Sequence, residues 1–161
     1  MINGLTYLQS QVNNDGGIRW MDDSSSAAVT VRVVIALAAA GVSQNTLISD
    51  DGNRPIDYLK TVGGDWAFQS ELDEPALNVA RAGQLLTAIA AANENPEDFG
   101  IASLNLIHAI KTSYDPNTGT FGAAGPENVL DQVWAILGLT GSNATISTDA
   151  AGWLAGVQLP D

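Results

Sequence analysis

The sequence predicts an all-α protein in which helical hairpins stack side by side into a curved or closed array. Three observations predict it. The pattern Gly4-Leu-Thr-Tyr-Leu-Gln-Ser-Gln-Val-Asn-Asn-Asp-Gly-Gly-Ile-Arg-Trp20 returns in altered form as Pro55-Ile-Asp-Tyr-Leu-Lys-Thr-Val-Gly-Gly-Asp-Trp66, again from Leu104 to Phe121, and once more, cut short, from Asp149. Self-similarity at roughly 45 to 50 residues marks stacked supersecondary units. Each copy then joins a short helix to a longer one across a Gly-rich turn, and both members carry an apolar face that only neighbouring hairpins can cover.

The elements follow in order. Leu5, Leu8 and Val12 fall at helical spacing, and Asn13-Asn-Asp-Gly-Gly17 ends that short helix. A longer helix runs from about Ser24 to Ala40, with Ser residues for its N-cap and Gly41 just past its end. Within it Val29-Thr-Val-Arg-Val-Val34 alternates like a strand. The matching segments 76–92 and 129–139 are rich in Ala and Leu, so we read all three as helix. The second hairpin spans about Arg54 to Val62 and Pro75 to Ala92, with Pro75 at a first helical position. The third pairs about Gly100 to Ser113 with Glu127 to Leu139. Polar connectors cover 93–98 and 141–147, and the longer one at 43–53 holds a short helical turn near Thr46 to Ile48. The repeats are thus about 3–41, 54–93, 100–140 and an incomplete 147–161, in a single domain. The small residues of the long helices, Ala36, Ala38 to Ala40, Ala88 and Ala90 to Ala92, place them on a crowded inner wall. The short helices, with Tyr7, Tyr58 and His108, form the outer ring.

Composition narrows the function. Of 161 residues 45% are hydrophobic, enough for a sizeable core. Six Lys and Arg against eighteen Asp and Glu give a formal charge of -12, which repels nucleic acid. Without Cys there are no disulfides, thiolate metal sites or Cys nucleophiles. No segment reaches the roughly 18 apolar residues of a membrane span. The first residues lack the basic flank and apolar run of a signal peptide. Secreted, cell-surface and cytoplasmic addresses all stay open. Because the fourth copy stops where the first continues, the chain reads as part of a longer protein.

The spacing of Gln11, Gly17 and Trp20, followed by an Ala- and Leu-rich helix, resembles the QW-type repeats of squalene and hopene cyclases and the related repeats of prenyltransferase β subunits. The resemblance covers about the whole chain at repeat level. It implies a partial α/α toroid of about three and a half hairpins. More chain, or a second copy in a homodimer, would close the ring. It also implies structural corners at Gln11, Trp20, Trp66, Phe121 and Trp153, with the aromatic covering apolar surface beside the turn and the amide bonding a neighbouring helix end. The zinc site of prenyltransferases needs an Asp, a Cys and a His. With no Cys and only His108 this chain carries no such metal, and we assign it no cofactor.

The cyclases protonate an alkene with the middle Asp of an Asp-x-Asp-Asp-Thr-Ala motif. Glu71-Leu-Asp-Glu-Pro-Ala76 is similar, so the resemblance makes Asp73 a candidate donor with Glu71 and Glu74 beside it. Two Glu and a Pro depart from that motif and put the role in doubt. Helix capping is the competing reading, since acids at helix starts interact favourably with the macrodipole. Asp22, Asp23, Asp73, Glu74 and Glu127 all precede long helices, which gathers carboxylates at one end of the array, where Ca²⁺, a basic partner or a sugar could bind. Arg32, Gln84 and Asp131 form a second polar set one turn inside, there either to contact a ligand or to pair with a neighbouring helix. The function expected is a non-catalytic module binding a small molecule or a protein partner. The alternative is part of a terpene-type cyclase or an acid-dependent carbohydrate enzyme.

Overall fold

The computed structural model describes residues 2–69, 76–99, 105–122, 125 and 128–158. Among these the chain is mainly helical, in the order α1 (Ile2–Ser10), α2 (Ala27–Ala39), α3 (Pro55–Ala67), α4 (Val79–Ala91), α5 (Leu106–Thr112), a small hairpin β1 (Tyr114–Asp115) and β2 (Thr120–Phe121), α6 (Val129–Gly141) and α7 (Thr148–Val157). The strand-like run 29–34 lies inside α2, because burial of Val31, Val33 and Val34 against neighbouring helices overrides β-propensity. The short turn of the 43–53 connector sits at Gln44–Thr46, slightly earlier than expected.

The three long helices form one layer. Central α4 packs most extensively on α6 and also on α2, while α3, as long as these at 13 residues, and the 7-residue α5 also pack on α4, and α7 packs on α6. Leu85, Leu86 and Ile89 of α4 are fully buried in the main core. Each such side chain contributes roughly 1.5 to 3 kcal/mol. Ile18, Val33, Leu37 and Leu47 make a second, smaller cluster under α1. The α4–α6 crossing is a backbone contact: a Cβ on Gly83 would lie 2.8 Å from the amide nitrogen of Ala135, and one on Gly138 would lie 2.7 Å from the carbonyl of Gly83. Only hydrogen fits between these two helices.

The long helices also end alike. Gly41, Asn93 and Asn143 take positive φ just past α2, α4 and α6. The next amide then bonds back across the turn, Val42 to the Leu37 carbonyl at 2.9 Å, Glu94 to Ile89 at 3.0 Å and Ala144 to Leu139 at 2.9 Å. This is the Schellman closure, built three times at matching positions. It gives a register for comparing the helices residue by residue.

The corners fall into two kinds. In the first hairpin Val12 bridges Ile18, and the Arg19 amide donates to the Gln11 carbonyl at 3.0 Å. In the third, Tyr114 pairs with Phe121, and the Gly122 amide donates to the Ser113 carbonyl at 3.0 Å. The two corners pair alike at their base, and the third encloses one residue more. The second hairpin differs: α3 runs straight through Gly63-Gly64, so Asp65 and Trp66 are helical and belong to no turn. Helix is favoured there because Gly63 is buried with Leu85 packed over it, a contact that a looped chain would forfeit. On the other side α4 begins at Val79 with Asn78 as its N-cap, later than the expected Pro75, which lies outside the described residues.

Candidate functional site

Aligning the long helices on their common ends brings four rows into register. Ala28, Arg32, Ile35 and Ala39 of α2 match Ala80, Gln84, Thr87 and Ala91 of α4 and Leu130, Trp134, Leu137 and Gly141 of α6. Spaced three and four apart, each set lies along one side of its helix. None of these twelve residues is fully buried, although they alternate with fully buried neighbours. Chemistry changes across this face. On α2 it carries the exposed guanidinium of Arg32, on α4 the amide of Gln84, and on α6 an apolar stripe with Leu130 65% and Leu137 47% exposed. The buried Oε1 of Gln84 has no hydrogen-bond partner. An acceptor withdrawn from water without a donor costs about 1 to 3 kcal/mol.

Arg32 and Gln84 therefore occupy equivalent places, as the sequence suggested. Asp131 does not join them, because Trp134 takes the matching position on α6. Asp131 turns to the neighbouring helix, where its Oδ1 accepts the Ala80 amide at 3.1 Å in the first turn of α4. Burial pushes its carboxyl above the usual value, and the Ala80 hydrogen bond partly offsets that.

Of the acidic helix starts, Asp22 and Asp23 fall among the described residues. Asp22 is exposed and accepts from the Ser24 hydroxyl at 2.6 Å and the Ser24 amide at 3.2 Å, which holds it below the usual carboxylate value. Asp23 lies 3.5 Å from the Arg19 guanidinium. Glu71, Asp73, Glu74 and Glu127 lie outside the described residues. Among the described residues no cluster of three His, Cys, Asp or Glu could hold a metal. No helix there is long and apolar enough to cross a membrane.

The expected corners need correction. Phe121 is buried at its turn, but its partner in the first hairpin is Ile18; Trp20 lies two residues further on and is 61% exposed. Trp66 packs within α3 under the Arg81 guanidinium, 5.8 Å from the ring, and Trp153 is half-buried in α7. The Gln11 side-chain amide donates to the adjacent Ser10 hydroxyl at 3.0 Å, its one side-chain hydrogen bond among the described residues. The amide expected of it is supplied elsewhere. Gln9 donates to the Ile48 carbonyl at 2.6 Å. Gln132, 1% exposed, accepts from the Phe121 amide at 2.8 Å and donates to the Gly119 and Ala150 carbonyls at 3.1 and 2.8 Å, tying hairpin, α6 and α7 together. Thr30 has the matching role at the first corner, its hydroxyl accepting from the Ile18 amide at 2.9 Å. Sequence reasoning missed Gln132 because a lone Gln in a helix usually faces water. A clue existed in its place among Leu, Val, Trp and Ala.

Comparison with protein-family models, curated proteins and solved structures gives no match.

Proposed function

We propose that the chain is a non-catalytic repeat module whose long-helix layer bends into part of an α/α toroid, with the aligned Arg32–Gln84–Trp134 face turned inward to hold a small amphipathic molecule. The observation that carries this reading is the graded face itself. Exposed Leu130 and Leu137 flanking Trp134 offer an apolar bed on α6. Beside it, Gln84 keeps an unused acceptor and Arg32 adds a cation. An apolar floor with a few polar groups at one side is the usual composition of a small-molecule site. The repeat resemblance supports the toroid geometry, and the pairing of Asp131 with α4 supports a binding role over acid catalysis on this face.

Native mass spectrometry of the chain purified from cells tests it. A retained mass is expected on the parent protein and is expected to disappear from Leu137→Asp, whose circular dichroism melt stays that of the parent. A parent chain that carries nothing, or a Leu137→Asp variant that retains the same mass, overturns the reading.

A further inference from the structure

The internal repeat also shows what one open side of the layer is shaped to receive. On α6 the side facing the preceding repeat is filled by α4. Val79 lies against Gly122, the Ala80 amide bonds Asp131, Gly83 meets the backbone of Trp134 and Ala135, and Ala90 reaches Gly141. The two helices run parallel, because contacts near the start of one fall near the start of the other. In the common register Asp131, Trp134, Ala135, Gly138 and Gly141 become Val29, Arg32, Val33, Ala36 and Ala39 of the first repeat, and the corner hydrogen bonds set Arg19 where the third has Gly122. On α2 the first turns of that side already meet α1, whose Leu5 and Leu8 pack on the cluster that holds Val33, with Val29 beside them. Ala36 and Ala39 are exposed there, and a groove of about 270 Å³ opens at its start between Tyr7, Arg19, Trp20, Met21, Val29 and Val33.

We propose that this side of α2 docks an amphipathic α-helix of a protein partner, lying parallel to α2 with small residues at Ala36 and an acidic first turn at Arg19. Three features select that occupant. The α4–α6 crossing tolerates only Gly against backbone. Ala36 stands where α6 has Gly138, so a docking helix needs Ala, Gly or Ser at the matching point. Exposed Trp20 and Met21 at the groove mouth cover one larger apolar residue of the visitor. Arg19 supplies the charge: its only ion pair among the described residues is the 3.5 Å contact with fully exposed Asp23, and its Nε is buried without a partner. A helix N-terminus placed there brings its own positive dipole end, so a carboxylate in the first turn satisfies both dipole and guanidinium. In a chain of net charge -12 this is an unusual place for an acidic segment to be welcome.

The probe is a hydrocarbon-stapled peptide of residues 78–92, the α4 sequence that fills the equivalent place on α6, with and without a Glu replacing its Ala80. Both peptides are expected to shift the amide NMR signals of Arg19, Trp20, Val29 and Ala36, and the Glu form to bind several-fold more tightly. Arg19→Met is expected to erase that advantage, and Ala36→Trp to abolish binding by either peptide while the chain melts as before. Absence of those shifts at millimolar peptide, or equal affinity of the two peptides, overturns the proposal. Sedimentation showing a dimer that Ala36→Trp dissociates also overturns it, by assigning the side of α2 to a second copy. The two tests change different helices, Leu137 on α6 against Ala36 on α2, and read different signals, a retained mass against peptide-induced NMR shifts, so either can fail alone.

Discussion

The first and third hairpins turn through a short antiparallel pairing closed by a buried polar side chain, whereas the second has no such turn and carries its helix through two glycines. Hairpins of similar sequence thus solve one problem in two ways. A chain that reverses between packed helices leaves backbone amides and carbonyls facing the core, and each needs a partner. In the first and third copies Thr30 and Gln132 provide it from the start of the following helix. In the second, the Asn78 amide donates to the Ala67 carbonyl at 2.9 Å and α3 satisfies the rest internally. The second hairpin then relies on charge at its other end. Asp57 grips Arg54 through Nε at 2.8 Å and a terminal nitrogen at 2.7 Å, while Glu94 from the next connector approaches Arg54 at 3.7 Å and Lys60 at 2.9 Å.

The largest expected effect separates the two solutions. Gln132→Leu roughly keeps the volume but strands the Phe121 amide and the Gly119 carbonyl in the core, so it should cost about 4 kcal/mol at the usual 1 to 3 kcal/mol for each unpaired group. Thr30→Val strands only the Ile18 amide, and about 1.5 kcal/mol is expected. Urea denaturation of both variants measures this. Equal losses would show that the corners are held by packing alone, and that the buried amide is incidental.

Acid probes the second hairpin. The Arg54 hydrogen bonds hold the Asp57 carboxyl below its ordinary 3.8. A depressed carboxylate stabilises the fold fully above the unfolded value and loses that contribution as pH falls through the folded one. The stabilities of parent and Asp57→Asn should therefore differ at neutral pH and converge below 3.8. A gap that persists unchanged into strong acid would remove the clasp from the account.

The sequence made the helices legible because they rest on short-range signals. Gly41 past α2 and the Ala- and Leu-rich 76–92 are sufficient to outline two of them, and the repeat spacing carried the helical reading over the β-branched run at 29–34. The corners were only half legible. Aromatic residues drew attention to Trp20 and Trp66, yet the buried partner of Phe121 is Ile18, and nothing local distinguishes it from any other isoleucine. Gln132 acts through groups at 119, 121 and 150, so its role exists only once three elements meet. The aligned face is similar: Arg32 and Gln84 matched from the sequence alone, but replacing Asp131 by Trp134 required the Schellman register of the folded helices.

The smallest effect is the most discriminating. A Gly-Gly pair looks the same in the first and second copies, but the folded surroundings differ. At Gly17 an added Cβ lies 2.6 Å from the Ser25 hydroxyl, a group already fixed by Asp15 and Asn13, so nothing can give way. At Gly63 the neighbours are the two methyl ends of Leu85, at 2.9 and 3.0 Å, which can turn aside by a few tenths of an ångström. Alanine there also gains up to about 1 kcal/mol of helix propensity. Repacking Leu85 costs a similar amount, at the low end of the about 1 to 3 kcal/mol usual for overpacking. Gly63→Ala should therefore leave the melting temperature nearly unchanged. A loss as large as that of Thr30→Val would mean that the second copy needs its glycine for close approach as strictly as the first, and that its uninterrupted helix is not a relaxed alternative to the turn.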